Sequence, residues 1–172
     1  AKAFIRPKPV QQLSYKELKT RVVEKEFKGQ RALIIGGSRG IGEVSAKVLA
    51  AGKASILLTY NKGASEAQRI VREINGSKGE AQYISCDILN LRSMTINKFK
   101  KFRPTHLYYF ATPFIFSGSK GVFSNLEFSH FLDFYLVGFK EVLESCYSIG
   151  VRKFFYPSTI AIDEEPRGME EY

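Results

Sequence analysis

Seven residues, Gly36-Gly37-Ser38-Arg39-Gly40-Ile41-Gly42, separate an apolar run, Ala32-Leu33-Ile34-Ile35, from a helix-like stretch. A buried strand, a glycine-rich turn and a helix start, in that order, restrict the chain to few architectures. Each glycine has a physical task. Gly36 permits a tight turn, Gly40 lets the backbone come close to a pyrophosphate, and Gly42 lets helix and strand pack closely. Unpaired amides at the helix start face the phosphates, so Gly37, Ser38, Arg39 and Ile41 join the candidate dinucleotide-binding residues. The spacing is G-x-x-x-G-x-G rather than G-x-G-x-x-G.

From Arg31 onward strand-like and helix-like patterns alternate, which predicts an α/β fold with a doubly wound parallel sheet. Strands are expected at 31–36, 54–60, 80–86, 105–111 and 152–158. The longest helix is expected from Asn125 to Ile149, where Phe128, Phe131, Leu132, Tyr135, Phe139, Val142, Leu143 and Cys146 recur at steps of three and four. That stripe exceeds what one sheet face needs, so it serves either as core or as a homodimer contact. Residues 1–29 divide from the rest as a linker with Pro7 and Pro9, then a short amphipathic helix. Its capping box is Ser14-Tyr15-Lys16-Glu17 and its apolar face Leu18, Val22 and Phe27. This helix is expected to cover the first strand or to connect to a preceding domain.

A chain of 172 residues, 44% of them hydrophobic, suffices for one α/β domain and is short for two. No apolar run approaches a membrane span, and the first residues lack the apolar stretch of a signal peptide; a cytoplasmic location without a membrane partner is expected. Cys86 and Cys146 have no metal-ligand spacing and read as buried thiols, with no metal site. The net charge of +9 is uneven, because residues 1–31 hold nine Lys/Arg against three Asp/Glu. Without aromatic interleaving this is a solvated helical face rather than a nucleic-acid partner site. The cluster Lys98-Phe99-Lys100-Lys101-Phe102-Arg103 reads as the exposed side of a helix end.

The loop GGSRGIG, with arginine before the second glycine, resembles the phosphate loop of the short-chain dehydrogenase/reductase family, which has an NAD(P)-binding Rossmann fold. The resemblance runs from about Lys28 to Tyr172, with typical features in front and features of the extended branches behind. It makes the residues after the second strand, Tyr60-Asn61-Lys62, the reader of the adenosine ribose. An acidic residue there would hold the hydroxyls of NAD and repel the extra phosphate of NADP. None is present, while Arg39 and Lys62 are suited to a 2′-phosphate, so the expected cofactor is NADP, with NAD as the alternative. After the third strand, Asp87-Ile88 is similar to the family's adenine-binding aspartate; an Asp capping the next turn is the equal alternative.

Two departures follow. Where typical members show Asn-Asn-Ala-Gly, this chain reads Tyr109-Phe110-Ala111-Thr112, which leaves Ala111 and Thr112 as cofactor candidates. Where an Asn-x-x-Gly pattern supports a proton relay, Tyr135-Leu136-Val137-Gly138 keeps only the glycine.

The fifth strand ends in Ser158-Thr159, at the carboxyl edge where open α/β sheets build their sites. The resemblance makes Thr159 or Ser158 the hydroxyl that polarises a carbonyl and Tyr172 the proton donor or acceptor. Thr159 stands thirteen residues before Tyr172. The family's lysine would stand four residues past Tyr172, so the fold is expected to be incomplete at its carboxyl end, after the fifth strand.

The reading is an NADP(H)-dependent enzyme that interconverts a small-molecule carbonyl and an alcohol by hydride transfer. A non-catalytic NAD(P)-binding sensor or interaction module within a larger protein is the alternative.

Overall fold

The computed structural model describes residue 10 and residues 12–112 and 125–157. Five strands, β1 (Arg31–Ile35), β2 (Ser55–Tyr60), β3 (Glu80–Ser85), β4 (His106–Tyr109) and β5 (Lys153–Phe155), pair in parallel in the order β3-β2-β1-β4-β5. The order reverses between β1 and β4, so this sheet has its switch point at the carboxyl ends of those two strands. Each strand lies within the expected range but is shorter by one to three residues at one or both ends. The difference is largest where β4 and β5 give way to chain that leaves the sheet.

Helices α2 (Gly40–Ala51), α3 (Ala64–Gly76) and α4 (Ser93–Phe102) connect the first four strands. The central strands are buried on both faces, as the uninterrupted run Ala32-Leu33-Ile34-Ile35 requires. One core lies between the sheet and α2 and α3, through Ala32, Ile34, Ala46, Ile56, Leu58, Ile70 and Ile74. The other lies on the opposite face, through Leu33, Ile35, Leu57, Phe99, Phe102, Leu107 and Val142. Phe99 and Phe102 point inward and leave Lys98, Lys100 and Lys101 exposed, as their alternation predicts.

The long helix differs from expectation. It consists of α5 (Asn125–Leu132), a π-helical turn over Asp133–Gly138, and α6 (Phe139–Ser148), ending one residue short of Ile149. Gly138 accounts for the local fit: a Cβ there would stand 3.0 Å from the Ile88 carbonyl oxygen, so the helix touches the segment after β3. Phe128, Leu136 and Val137 are exposed, while Val142 and Cys146 are in the core. The apolar stripe therefore divides between a buried end and a bare end.

The amino-terminal segment also departs from expectation. Its capping box forms, with Ser14 and Glu17 bonded reciprocally, but the helix, α1, spans only Tyr15–Lys19 and does not carry Val22 and Phe27 on a continued face. Turns follow, and Phe27 instead meets Gly52 at the end of α2, where its amide donates to the Gly52 carbonyl (2.7 Å). The segment packs on the helical layer rather than on β1 as a cover. Tyr15 is buried and its hydroxyl donates to the Ala50 carbonyl (3.2 Å), while its amide donates to Glu73.

Beneath this segment lies an ion network that periodicity alone does not reveal. Lys47, on α2, is 1% exposed and bonds Glu43 (2.9 Å), Glu73 of α3 (3.0 Å) and the Leu13 carbonyl (3.0 Å). Arg69 completes it with a bond to Glu43 (2.9 Å). A buried lysine is tolerable only when its charge and donors are met, and here three elements meet them.

Candidate functional site

The turn from β1 to α2 is built by what surrounds it. Gly36 has φ +80°, and a Cβ there would lie 2.6 Å from the Ala111 amide nitrogen, so only glycine fits between the end of β1 and the chain leaving β4. Gly42, in the first turn of α2, would drive a Cβ into the Gly36 carbonyl oxygen. Gly37 lies against Leu58, where a Cβ would stand 2.8 Å away. Gly40 differs from these three: φ is +54°, yet among the described residues nothing lies within 4 Å of its Cβ direction. A glycine backbone in left-handed conformation with open space before it at a helix start is a cradle for an anion.

Thr59 fixes the turn from below, and motif reading overlooked it. Its side chain accepts from the Gly36 amide (3.1 Å) and its carbonyl from the Gly37 amide (2.9 Å). The residue is buried at the end of β2. A hydroxyl placed directly after Leu57-Leu58 in a buried strand is the signal that could have found it.

The other candidates follow along the carboxyl edge. Tyr60, Asn61 and Lys62 leave β2, Asp87 and Ile88 leave β3, and Ala111 and Thr112 leave β4 beside Gly36. Asn61, Lys62, Asp87 and Thr112 are exposed, whereas Ile88 is buried under Gly138. The Asp87 carboxylate accepts from the Leu89 amide (3.1 Å), which is the turn-capping role, while its exposure leaves the carboxylate accessible. Ile41 is 65% exposed at the start of α2, unusual for an isoleucine and consistent with a lining position.

Arg39 bonds the Glu66 carboxylate at 3.0 Å, from the residue before α2 to the first turn of α3. Burial pushes the Glu66 carboxyl up, but bonds from its own backbone, the Ser65 hydroxyl and Arg39 outweigh this and hold it below the ordinary carboxylate range. Ser38 is buried, and α3 begins on top of it: a Cβ on Gly63 would be 2.7 Å from the Ser38 oxygen.

At the two departures from the family pattern the structure places aromatic packing. Tyr109 is 1% exposed and stands edge-on to Phe139, with ring centroids 5.0 Å apart. Burial first, and then the neighbouring Tyr156, Cys86 and Tyr135, push its phenol far above the usual value. Tyr135 lies in the π-helical turn against Phe131 (4.5 Å), and burial followed by Tyr156 raises its phenol as well. In both, burial favours the neutral phenol. Ser158, Thr159 and Tyr172, the candidate catalytic residues, lie outside the described residues.

Known proteins resemble this chain in sequence over its front part and in fold over more of it. Residues 30–101 match the family model of the short chain dehydrogenases, a span that includes the glycine turn, Thr59, Arg39, Glu66 and Asp87. The chain carries a short-chain dehydrogenase/reductase fold. A 3-oxoacyl-[acyl-carrier-protein] reductase of Synechocystis is 33% identical over 78 residues, 42% of this chain and 32% of that protein. A Burkholderia cenocepacia short chain dehydrogenase, solved in complex with NADP, superposes with a TM-score of 0.68 and 27% identity over 84% of this chain and 61% of that one. A Serratia marcescens short-chain dehydrogenase/reductase superposes with a TM-score of 0.70 at 22% identity, over 83% and 60%, and shows likeness of fold alone. The chain thus spans about a third of the curated relative and about 60% of the solved ones. The family model ends at residue 101, before the Tyr109-Phe110 departure, while the structural likeness of the short-chain dehydrogenase/reductase fold extends over more of the chain.

Proposed function

We propose that this chain is the NADP-binding part of a short-chain dehydrogenase/reductase that interconverts a small-molecule carbonyl and an alcohol. The observation that carries the reading is the division of labour in the glycine turn. Gly36 and Gly42 are closed against protein, whereas Gly40 is left-handed and open where a pyrophosphate would sit. The cofactor complex of the Burkholderia relative supports NADP as the ligand class. When bound, NADP supplies or accepts the hydride.

The residues of this chain bind, orient and handle the proton. The amides of the turn and the start of α2 hold the pyrophosphate, Arg39 and Lys62 serve the 2′-phosphate, and Asp87 with Ile88 borders the adenine. Ala111 and Thr112 line the cofactor beyond the turn. Thr159 or Ser158 donates a hydrogen bond to the substrate oxygen, and the Tyr172 hydroxyl exchanges the proton with it.

The test is NADPH oxidation by the protein with a panel of ketones, compared with Tyr172→Phe. The reading predicts turnover that falls at least about a hundredfold in the variant, with NADPH affinity unchanged. Binding of NADPH without turnover on any ketone would favour the non-catalytic module, and absence of binding would refute both.

A further inference from the structure

The end of β2, Leu57-Leu58-Thr59-Tyr60-Asn61-Lys62, carries no acidic residue, and on sequence alone that removes the group that reads the ribose hydroxyls of NAD. The fold supplies a carboxylate from elsewhere. Gly63 rests on Ser38, so α3 enters directly above the glycine turn and its first turn brings Glu66 to Arg39. The Arg39 Nη2–Glu66 Oε1 distance is 3.0 Å, with side chains 27% and 19% exposed, and the second carboxylate oxygen accepts from the Ser65 hydroxyl at 2.9 Å. The Glu66 carboxylate thus has a second partner besides Arg39, and its place in the first turn of α3 is favourable for a negative charge.

We propose that Glu66 is a specificity-determining residue of the adenosine pocket: it competes with the 2′-phosphate of the cofactor for Arg39. The inference rests on the dinucleotide reading above and deepens it. A ligand without the extra phosphate leaves the ion pair intact, while one with it must draw the guanidinium away from a carboxylate that remains in place beside it. Arginine favours a phosphate because its planar fork can engage two oxygens at once, but that gain is diminished by the broken pair and by repulsion between two anions. Preference for NADP over NAD is thus held below what Arg39 and Lys62 would otherwise give. The acidic residue acts from the helix after β2 rather than from the strand end.

The experiment titrates the chain with 2′,5′-ADP and 5′-AMP by NMR, in the wild type, Glu66→Gln and Arg39→Gln, with a melting curve of each to confirm folding. Glu66→Gln should tighten 2′,5′-ADP about fivefold, the upper scale of a partly exposed ion pair, and change 5′-AMP by less than about twofold. Arg39→Gln should weaken 2′,5′-ADP selectively. Tighter 2′,5′-ADP binding in Glu66→Gln supports the competition. Weaker binding of it overturns the proposal by showing that Glu66 holds Arg39 in place for the phosphate, and an equal change in both ligands, or none, overturns it too. If the wild type binds neither ligand, the nucleotide reading itself fails; binding of 5′-AMP with an unmoved ratio removes only the role of Glu66.

Discussion

Two glycines four residues apart differ in what they protect, and this makes the site testable one residue at a time. Gly36 is confined by both its φ and the backbone of Ala111. Gly36→Ala adds a backbone clash with Ala111 to the left-handed strain, so it should lower the urea midpoint clearly further than Gly40→Ala does. Gly40→Ala meets no atom of the described residues and costs only the left-handed conformation, about 1–2 kcal/mol, but places a methyl where the ligand contact would form. It should melt cooperatively, with a smaller loss of stability than Gly36→Ala, while losing nucleotide affinity. Equal loss of both properties in the two variants would contradict the division. The glycines were legible because their spacing is local. Thr59 and Glu66 were not, since the first acts through strand pairing and the second through the approach of α3, and both depend on which elements lie side by side.

At the scale of elements, the amino-terminal segment behaves as part of the fold. Tyr15 and Leu18 are buried, Phe27 closes over Gly52, and the Leu13 carbonyl completes the shell of Lys47. Burying two such side chains contributes about 3 kcal/mol or more, so deletion of residues 1–29 should lower the urea midpoint markedly. An unchanged midpoint would return the segment to the role of linker. Its helix was legible from the capping box but its length was not, because turns after Lys19 reposition Phe27 through tertiary packing rather than through helical period.

The two thiols belong to this scale as well, Cys86 following β3 and Cys146 in α6 on the same core face. Burial, and next the Asp87 charge, pushes the Cys86 thiol up to about 12, and burial with Cys86 does the same to Cys146. The unfolded chain ionises first, near the ordinary 9.0, so the stability they contribute is whole below that value and declines as pH rises from there toward 12. Native protein at pH 8 should resist a thiol reagent until it unfolds. Rapid labelling of both cysteines in the folded state would contradict their placement.

For the whole molecule, the alternation of strands and helices was enough to predict a parallel sheet, while the strand order that puts the switch point between β1 and β4 came only with the fold. The continuous helix was misread at its middle, where Gly138 approaches the Ile88 carbonyl and the chain forms a π-helical turn that three- and four-residue steps do not encode. The front of the molecule carries the family match, residues 30–101. Beyond it, Tyr109 and Tyr135 fill with aromatic packing the positions where typical members carry polar groups. The measurement that bears most directly on the account is an NMR titration of the isotopically labelled chain with NADPH. The account predicts saturable shifts concentrated on residues 36–42, on 60–62 and 87–88, and on Ala111 and Thr112; no saturable shift, or shifts confined to the opposite edge of the sheet, would contradict it.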